Sequence, residues 1–268
     1  MPALIDIRRR IRSVKNTQQI TKAMKMVSAA KLRRAQEAMF AARPYARRMM
    51  QVLNSLASRA HPEAHPLLVE RPQRNVLLIV VTSDKGLCGG FNANITRAAL
   101  RFLQDEQRVG QTVKLEVVGR KARDFFRKRT WEFHAEHVGV FQPLRYETAK
   151  ALAKSAILGF TSGRFDAVYL VFNEFKSVIA QRVAVERLLP IAREEFAPEN
   201  PPVEHLYEPD AQAIFDEILP RHVEVQLWQA LLESAAAEHG ARMAAMDAAT
   251  NNAGEMIDSL TLYMNKVR

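Results

Sequence analysis

The chain has 268 residues, with 39 Lys and Arg against 29 Asp and Glu and a net charge of +10. Its hydrophobic share of 48% and charged share of 25% are those of a folded globular chain rather than a disordered one. The single cysteine, Cys88, excludes an internal disulfide and a thiolate zinc site built by this chain alone, and points to a reducing compartment. No run of about 18 apolar residues is present, so no helix is expected to span a bilayer. The opening MPALIDIRRRIR lacks the apolar core of a secretory signal. The charge is also uneven. Residues 1–50 hold thirteen basic residues against two acidic ones, Asp6 and Glu37, and the rest of the chain is slightly acidic. The first fifth of the chain is therefore expected to lie near something acidic: nucleic acid, anionic lipid or an acidic protein surface.

Residues 3–59 read as one helix, rich in Ala, Arg, Lys, Met and Gln and free of glycine. Pro44 is expected to kink or divide it. At about 1.5 Å per residue the helix is roughly 85 Å long, far beyond what a globular core needs. Apolar residues recur at spacings of three and four: Ile7, Ile11, Val14, then Leu32, Ala35, Met39, Ala42, Ala46, Met49, Leu53 and Leu56. This is a coiled-coil seam. In its middle the seam positions are polar: Gln18, Thr21, Lys25 and Ser28. They either loosen the grip between helices or turn outward. Ile20, Met24 and Val27 form an apolar strip on a neighbouring face.

From about 75 to 205 the texture becomes α/β. VLLIVV (76–81) reads as a buried strand, followed by a helix near 93–107. KLEVVG (114–119) is a second strand and 120–129 a helix. A helix at 145–160 precedes the strand AVYLVF (167–172), and 178–189 adds a peripheral fourth strand. Strands alternating with helices imply a mainly parallel, Rossmann-like sheet. Residues 197–210, with Pro198, Pro201, Pro202 and Pro209, form a loop.

The last element is a second long helix, 211–268. Its expected seam is Ile214, Ile218, Arg221, Val225, Trp228, Leu232, Ala235, His239, Arg242, Met246, Ala249, Ala253, Met256, Leu260, Tyr263 and Val267. Pro220 and Gly254 are possible irregularities. The stretch 234–253 is dominated by alanine, so the helix should be slim there. Two long helices at opposite ends, each with one seam, most simply pair with each other. The expected domains are thus 1–60, 75–205 and 210–268.

Few residues point to chemistry. SDKGLCGG (83–90) follows a strand and precedes a helix, where a phosphate could bind. It matches neither the P-loop nor the dinucleotide fingerprint, so a tight turn is the better reading. Cys88 has no local base to activate it. The seven histidines show no HExxH pattern and no paired cysteine. His134 and His137, three apart in an expected strand, should point to opposite faces. No catalytic set, cofactor site or metal site is expected. The basic stretch Arg8 to Arg34 is a nucleic-acid candidate by charge. It lacks interleaved stacking aromatics and a helix-turn-helix break.

The segment IRRRIRSVKNTQQITKAMKMVSAAKLRRAQ (7–36) closely resembles the N-terminal helix of the gamma subunit of F-type ATP synthases. TSDKGLCGGFN (82–92), LYEPD (206–210) and ARMAAMDAATNNAGEMIDSLTLYMNKVR (241–268) agree with that family in order and spacing. The resemblance covers the whole chain and is to the bacterial form. It implies a non-catalytic shaft: an antiparallel coiled coil of the two long helices inside a ring of three alpha and three beta subunits, whose catalytic sites are on beta. An α/β foot would sit with epsilon on the membrane-embedded c-ring. The chain would then be peripheral on the cytoplasmic face of the bacterial inner membrane, held there by the c-ring only.

Carried residue by residue, the resemblance places an acidic loop of beta near Met24, with Lys22, Lys25 and Arg33 close by. It places Tyr207 and Glu208 at the c-ring, and Arg268 at loops of the ring above. Family members run one or two dozen residues past the position of Arg268, and this sequence lacks the glutamine that follows it there. If the protein itself ends there, a weaker upper bearing is the expectation. The competing readings are a basic coiled-coil protein that binds nucleic acid and an enzyme using the 83–90 turn.

Overall fold

The computed structural model describes residues 4–59, 65–178, 180–192 and 211–267. Two long helices frame the chain: α1 (Leu4–Arg59) and, closing it, α5 (Ala211–Val267). Each is roughly 85 Å long at 1.5 Å per residue. Arg43 meets Glu233, Lys25 meets Asp247 and Gln18 meets Thr250, so rising numbers in one helix face falling numbers in the other. The pair is antiparallel, as the family resemblance implies.

Pro44 does not divide α1, which runs through it as one helix. A proline removes one backbone donor, and it is exposed here while Met39 and Leu53, on either side of it, are buried. Tertiary packing on both flanks outweighs the lost bond. Pro220 and Gly254 likewise leave α5 unbroken.

Between the two helices lies a sheet of order β3-β2-β1-β4-β5. The strands are β1 (Asn75–Val81), β2 (Thr112–Val118), β3 (Phe133–His137), β4 (Ala167–Phe175) and β5 (Gln181–Leu189). β1 to β4 pair in parallel, and β5 runs antiparallel on the edge. The connecting helices are α2 (Phe91–Arg108), α3 (Arg120–Phe126) and α4 (Tyr146–Thr161). β1 is central, and its six residues after Asn75 are all buried, which explains the unbroken apolar run. Leu77, Ile79 and Val81 face α4 and the lower part of α5, while Val76, Leu78 and Val80 face α2 and α3.

The lower half of α5 thus serves two partners. Residues 231–238 are all buried, enclosed by α1 on one side and the sheet on the other. Ala236 and Ala237 are fully buried against the sheet side, so these alanines permit close helix–sheet approach. Above this, burial shrinks to a stripe containing Met246, Ala253, Ile257, Leu260 and Met264. Met256, Tyr263 and Val267, read as seam residues, are exposed. So is Arg221. Ala253 and Leu260 lie where the spacing puts them, but the positions between are one residue later, at Thr250, Ile257 and Met264 instead of Ala249, Met256 and Tyr263, so the steps of three and four alternate in the opposite order.

The strand ends are tied by short polar residues. Gly119 follows β2 at φ 93°, and a Cβ there would lie 2.2 Å from the carbonyl oxygen of Thr82. Thr82 is fully buried, and its hydroxyl accepts the amide of Ala122 at 2.8 Å, capping α3. Gly119→Ala therefore combines a disfavoured φ with a backbone clash, and should cost about 2–4 kcal/mol in urea unfolding of the full chain. A change below about 1 kcal/mol would contradict this account of the junction.

Candidate partner-binding surface

The polar middle of the seam faces inward. Gln18 and Lys25 are half-buried, and Thr21 and Ser28 are only 8% and 3% exposed. Lys25 Nζ lies 2.6 Å from Asp247 Oδ1, and Gln18 Nε2 donates to the carbonyl of Thr250 at 3.4 Å. The Thr21 and Thr250 hydroxyls meet at 2.8 Å. Thr21 also donates to Gln18 O at 3.0 Å, and Thr250 to Met246 O at 2.7 Å. Two hydroxyl hydrogens cannot fill three such contacts at once. The cross-helix bond is therefore made by giving up a bond within one helix, and its net worth is small. The Lys25–Asp247 pair has side chains 42% and 47% exposed, which limits it to at most about 1 kcal/mol.

Turning α1 inward at these positions turns the next face outward. Ile20 and Val27 are 60% and 56% exposed, and Met24 is half-buried beside them. A groove of about 450 Å³ runs from this strip to the β1–α2 turn, bounded by Lys31, Lys85, Leu87, His239 and Arg242. Leu87 stands at φ 61°, a conformation leucine rarely adopts, and is 65% exposed. The result is an apolar floor rimmed by cations, on the basic fifth of the chain.

The turn itself is locked from within. Arg242 of α5 is 8% exposed and donates to the carbonyls of Gly86 (3.2 Å) and Lys85 (3.5 Å) and to Glu238 at 2.6 Å. Burial raises the Glu238 carboxyl above its usual range, and Arg242 opposes that rise. Asp84 accepts the amides of Arg120 and Gly139, each at 3.0 Å, across the ends of three strands. Asn92 accepts the amide of Ser83 at 3.0 Å. In parallel sheets this edge is where nucleotides bind. Here side chains of the chain take up its amides, and the Asp84 carboxylate would repel a phosphate. The tight-turn reading of 83–90 is the one the geometry favours. Cys88 is 2% exposed, and burial pushes its thiol pKa up, so it is a packed thiol rather than a nucleophile.

One expectation about histidines is overturned. His134 and His137 do not point to opposite faces. The β2–β3 register slips between Leu115 and Glu116, which pair with Phe133 and Ala135, so His134 is the extra residue of a bulge. Both rings then reach one polar cluster. His137 Nε2 is 2.8 Å from Glu116 Oε1, Ser155 donates to Glu116 Oε2 at 3.0 Å, and His134 Nε2 is 3.3 Å from Ser155. Glu116 is fully buried, and this cluster satisfies it. The signal in the sequence was a glutamate inside the apolar run LEVV of β2.

Of the residues expected to meet partners, Lys22, Met24, Lys25 and Arg33 all lie on α1. Lys22 is exposed and Arg33 pairs with Glu37 at 3.1 Å on the surface. Tyr207, Glu208 and Arg268 lie outside the described residues. Leu87, Lys85 and Arg242 complete the groove and were not expected there.

The sequence model of the family described as ATP synthase matches residues 3–268. The "ATP synthase gamma chain" of Anaeromyxobacter sp. (strain Fw109-5) is 52% identical over 271 residues, covering 100% of this chain and 93% of that protein. That of Geobacter metallireducens is 50% identical over 268 residues, with the same coverage. Among solved structures, a chain of the central stalk and c-ring of the Tetrahymena thermophila mitochondrial ATP synthase is similar with a TM-score of 0.64 and 26% identity. That similarity covers 86% of this chain and 99% of that one. A rotor chain of the Euglena gracilis mitochondrial enzyme shares the fold at a TM-score of 0.69 and 19% identity, covering 99% and 97%.

The exchangeable threonine pair generates a test. Thr21→Val and Thr250→Val should each change the unfolding free energy of the full chain by less than about 1 kcal/mol, and the double variant should be neutral or more stable. A loss above about 2 kcal/mol in the double variant would mean that the pair holds the helices together.

Proposed function

Because the chain belongs to the ATP synthase gamma-chain family, we propose that it is the central rotor shaft of an F-type ATP synthase. In this reading ion flow turns the c-ring, the shaft turns with it, and its asymmetric surface drives the catalytic sites of a ring of three alpha and three beta subunits in turn. The shaft itself performs no chemistry.

The observation that carries the reading is the antiparallel pair of helices, whose upper part is buried along one stripe only. From Met246 to Val267 this part is about 30 Å long. Such a rod has little core of its own, and a surrounding partner is the natural use of its exposed faces. Residues 1–60 and 210–268 would form the shaft. Residues 75–205 would form the foot, meeting epsilon and the c-ring, with Tyr207 and Glu208 at that contact and Arg268 at the upper bearing.

Lys22, Met24, Lys25 and Arg33 would face an acidic loop of beta. Coulomb attraction is long-ranged and weakly directional, so it persists as one surface slides over the other. The apolar strip adds contact without a deep lock. A non-catalytic role is supported by the internal use of the polar groups: the 83–90 turn is filled by its own side chains, and Glu116 is closed in with His137 and Ser155. Among the described residues no helix is long and apolar enough to cross a membrane. Attachment would be peripheral, through the c-ring, on the cytoplasmic face of the bacterial inner membrane. The nucleic-acid reading rested on charge alone, and part of that charge is engaged within the chain, in Lys25–Asp247, Arg33–Glu37 and Arg43–Glu233.

Purification of the tagged chain from native membranes should recover alpha and beta subunits in threefold excess, together with epsilon. Recovery of the chain alone, or with nucleic acid, would overturn the proposal. Reversal of both Lys22 and Arg33 to Glu should lower that recovery by at least about threefold at low salt and by less at high salt, since rim charges act through screened attraction.

A further inference from the structure

A second cavity, away from the groove above, lies where the lower coiled coil meets the β4–β5 hairpin. It holds about 470 Å³, within the range of small-ligand sites. His222, Gln226, Gln229 and Glu233 line it from one face of α5, and Glu174 and Glu186 from the two strands. Phe172 and Leu170 belong to the core between sheet and α5, which places Glu174, two residues after Phe172, and Glu186, opposite Leu170, on that same face.

Two groups in this cavity are left without partners. His222 is only 2% exposed, and its Nε2 makes no hydrogen bond. Burial pushes its pKa down to about 4, so at neutral pH it is an uncharged ring with one nitrogen able to accept. The buried Oε1 of Gln226 is likewise unpaired. A buried polar atom without a partner is costly, and native structures seldom keep two side by side.

The charges bear on the sign of the ligand. Glu174 is held by Lys176 and Arg182, which keep its carboxyl below the usual range. Glu233 accepts from Gln229 at 3.2 Å and meets Arg43 at 3.7 Å. Glu186 stands at the open side of the cavity, where it is exposed, and its pKa is raised by partial desolvation first and then by repulsion from Glu174 and Glu233, with Arg182 opposing the rise. Arg43, Lys176 and Arg182 are thus paired with Glu233 and Glu174, Glu186 makes no ion pair among the described residues, and Arg47, the third cation of the lining, is exposed at the rim. Among the described residues no group of three or more His, Cys, Asp or Glu is placed to hold a metal ion.

We propose that this cavity binds a primary ammonium group, taken either from a free polyamine or from a lysine side chain of a bound protein subunit. An ammonium carries three donors and one positive charge. Gln226 Oε1, the Glu186 carboxylate and, with the ring proton on Nδ1, His222 Nε2 are three acceptors, one of them charged, on the walls of one cavity.

The test has two arms. In the first, the full chain is titrated calorimetrically with spermidine and putrescine, with potassium chloride at matched ionic strength as control. In the second, the assembled complex is treated with a zero-length carbodiimide and crosslinks at Glu186 are mapped. Glu186→Gln and Gln226→Leu are run in both arms, with thermal melts to confirm folding.

Saturable amine binding that weakens at least tenfold in Glu186→Gln and also falls in Gln226→Leu supports a free polyamine. A crosslink from Glu186 to a partner lysine, reduced by Gln226→Leu and by added spermidine, supports a subunit lysine. Amine binding indifferent to both substitutions overturns the proposal. So does the joint result of no saturable binding and no crosslink at Glu186.

Discussion

Everything in this molecule depends on the pairing of α1 with α5, segments from opposite ends of the chain. Neither helix has an apolar face broad enough to stand alone over some 85 Å, and their single stripes are complementary only when the two run antiparallel. That pairing closes the chain on itself, with the sheet held between the two ends. It also divides α5. Below Arg242 the helix is enclosed by α1 and the sheet, and above Met246 it retains one buried stripe. The lower half is a core helix and the upper half is a rod.

The join between these regimes is carried by a few buried polar groups. Arg242 reaches from α5 to the carbonyls of the β1–α2 turn, and Glu238 one turn below neutralises it. Ser234 accepts the amide of Asn173 at 3.4 Å in the adjoining strand. Such contacts fix the angular setting of helix on sheet, because a hydrogen bond is directional where apolar packing is not. Just above, the seam turns polar: the Thr21–Thr250 contact exchanges with bonds inside each helix at small cost, and the half-exposed Lys25–Asp247 pair adds little. The structure is therefore rigid where rod meets sheet and less tightly gripped beyond. A rod that turns with its base while its surface moves over neighbours needs that gradient.

Much of this was legible in the sequence. The 3–4 apolar spacing from Ile7 to Leu53 found the α1 seam, polar interval included, and VLLIVV found the central strand. What was missed has physical reasons. Met256, Tyr263 and Val267 are exposed because the steps of three and four alternate in the opposite order, with Thr250, Ile257 and Met264 between Met246, Ala253 and Leu260, and apolar residues stand at both choices. His134 and His137 share a face because of a bulge, which alternation cannot register. Leu87 and Arg242 joined the candidate surface only once the fold brought positions 155 apart together. Tyr207, Glu208 and Arg268 rest on the family resemblance.

Small residues illustrate why the fold had to be seen. Alanine has one chemical meaning in a sequence and two in this structure. Ala236 and Ala237 let α5 approach the sheet until no space is left. Ala46 and Ala42, on α1, do the reverse. Ala46 lines both the 470 Å³ cavity and a 200 Å³ apolar cavity, the second shared with Ala42, Tyr45, Tyr146 and Trp228. The difference is the curvature of the opposing surface. A sheet is broad and meets a slim helix along its length, whereas two helices and a hairpin meeting at an angle leave gaps unless long side chains fill them. The chain fills other such positions with Met39 and Leu53 and leaves these two open. Space next to unpaired polar atoms is the feature of this junction that packing alone does not account for.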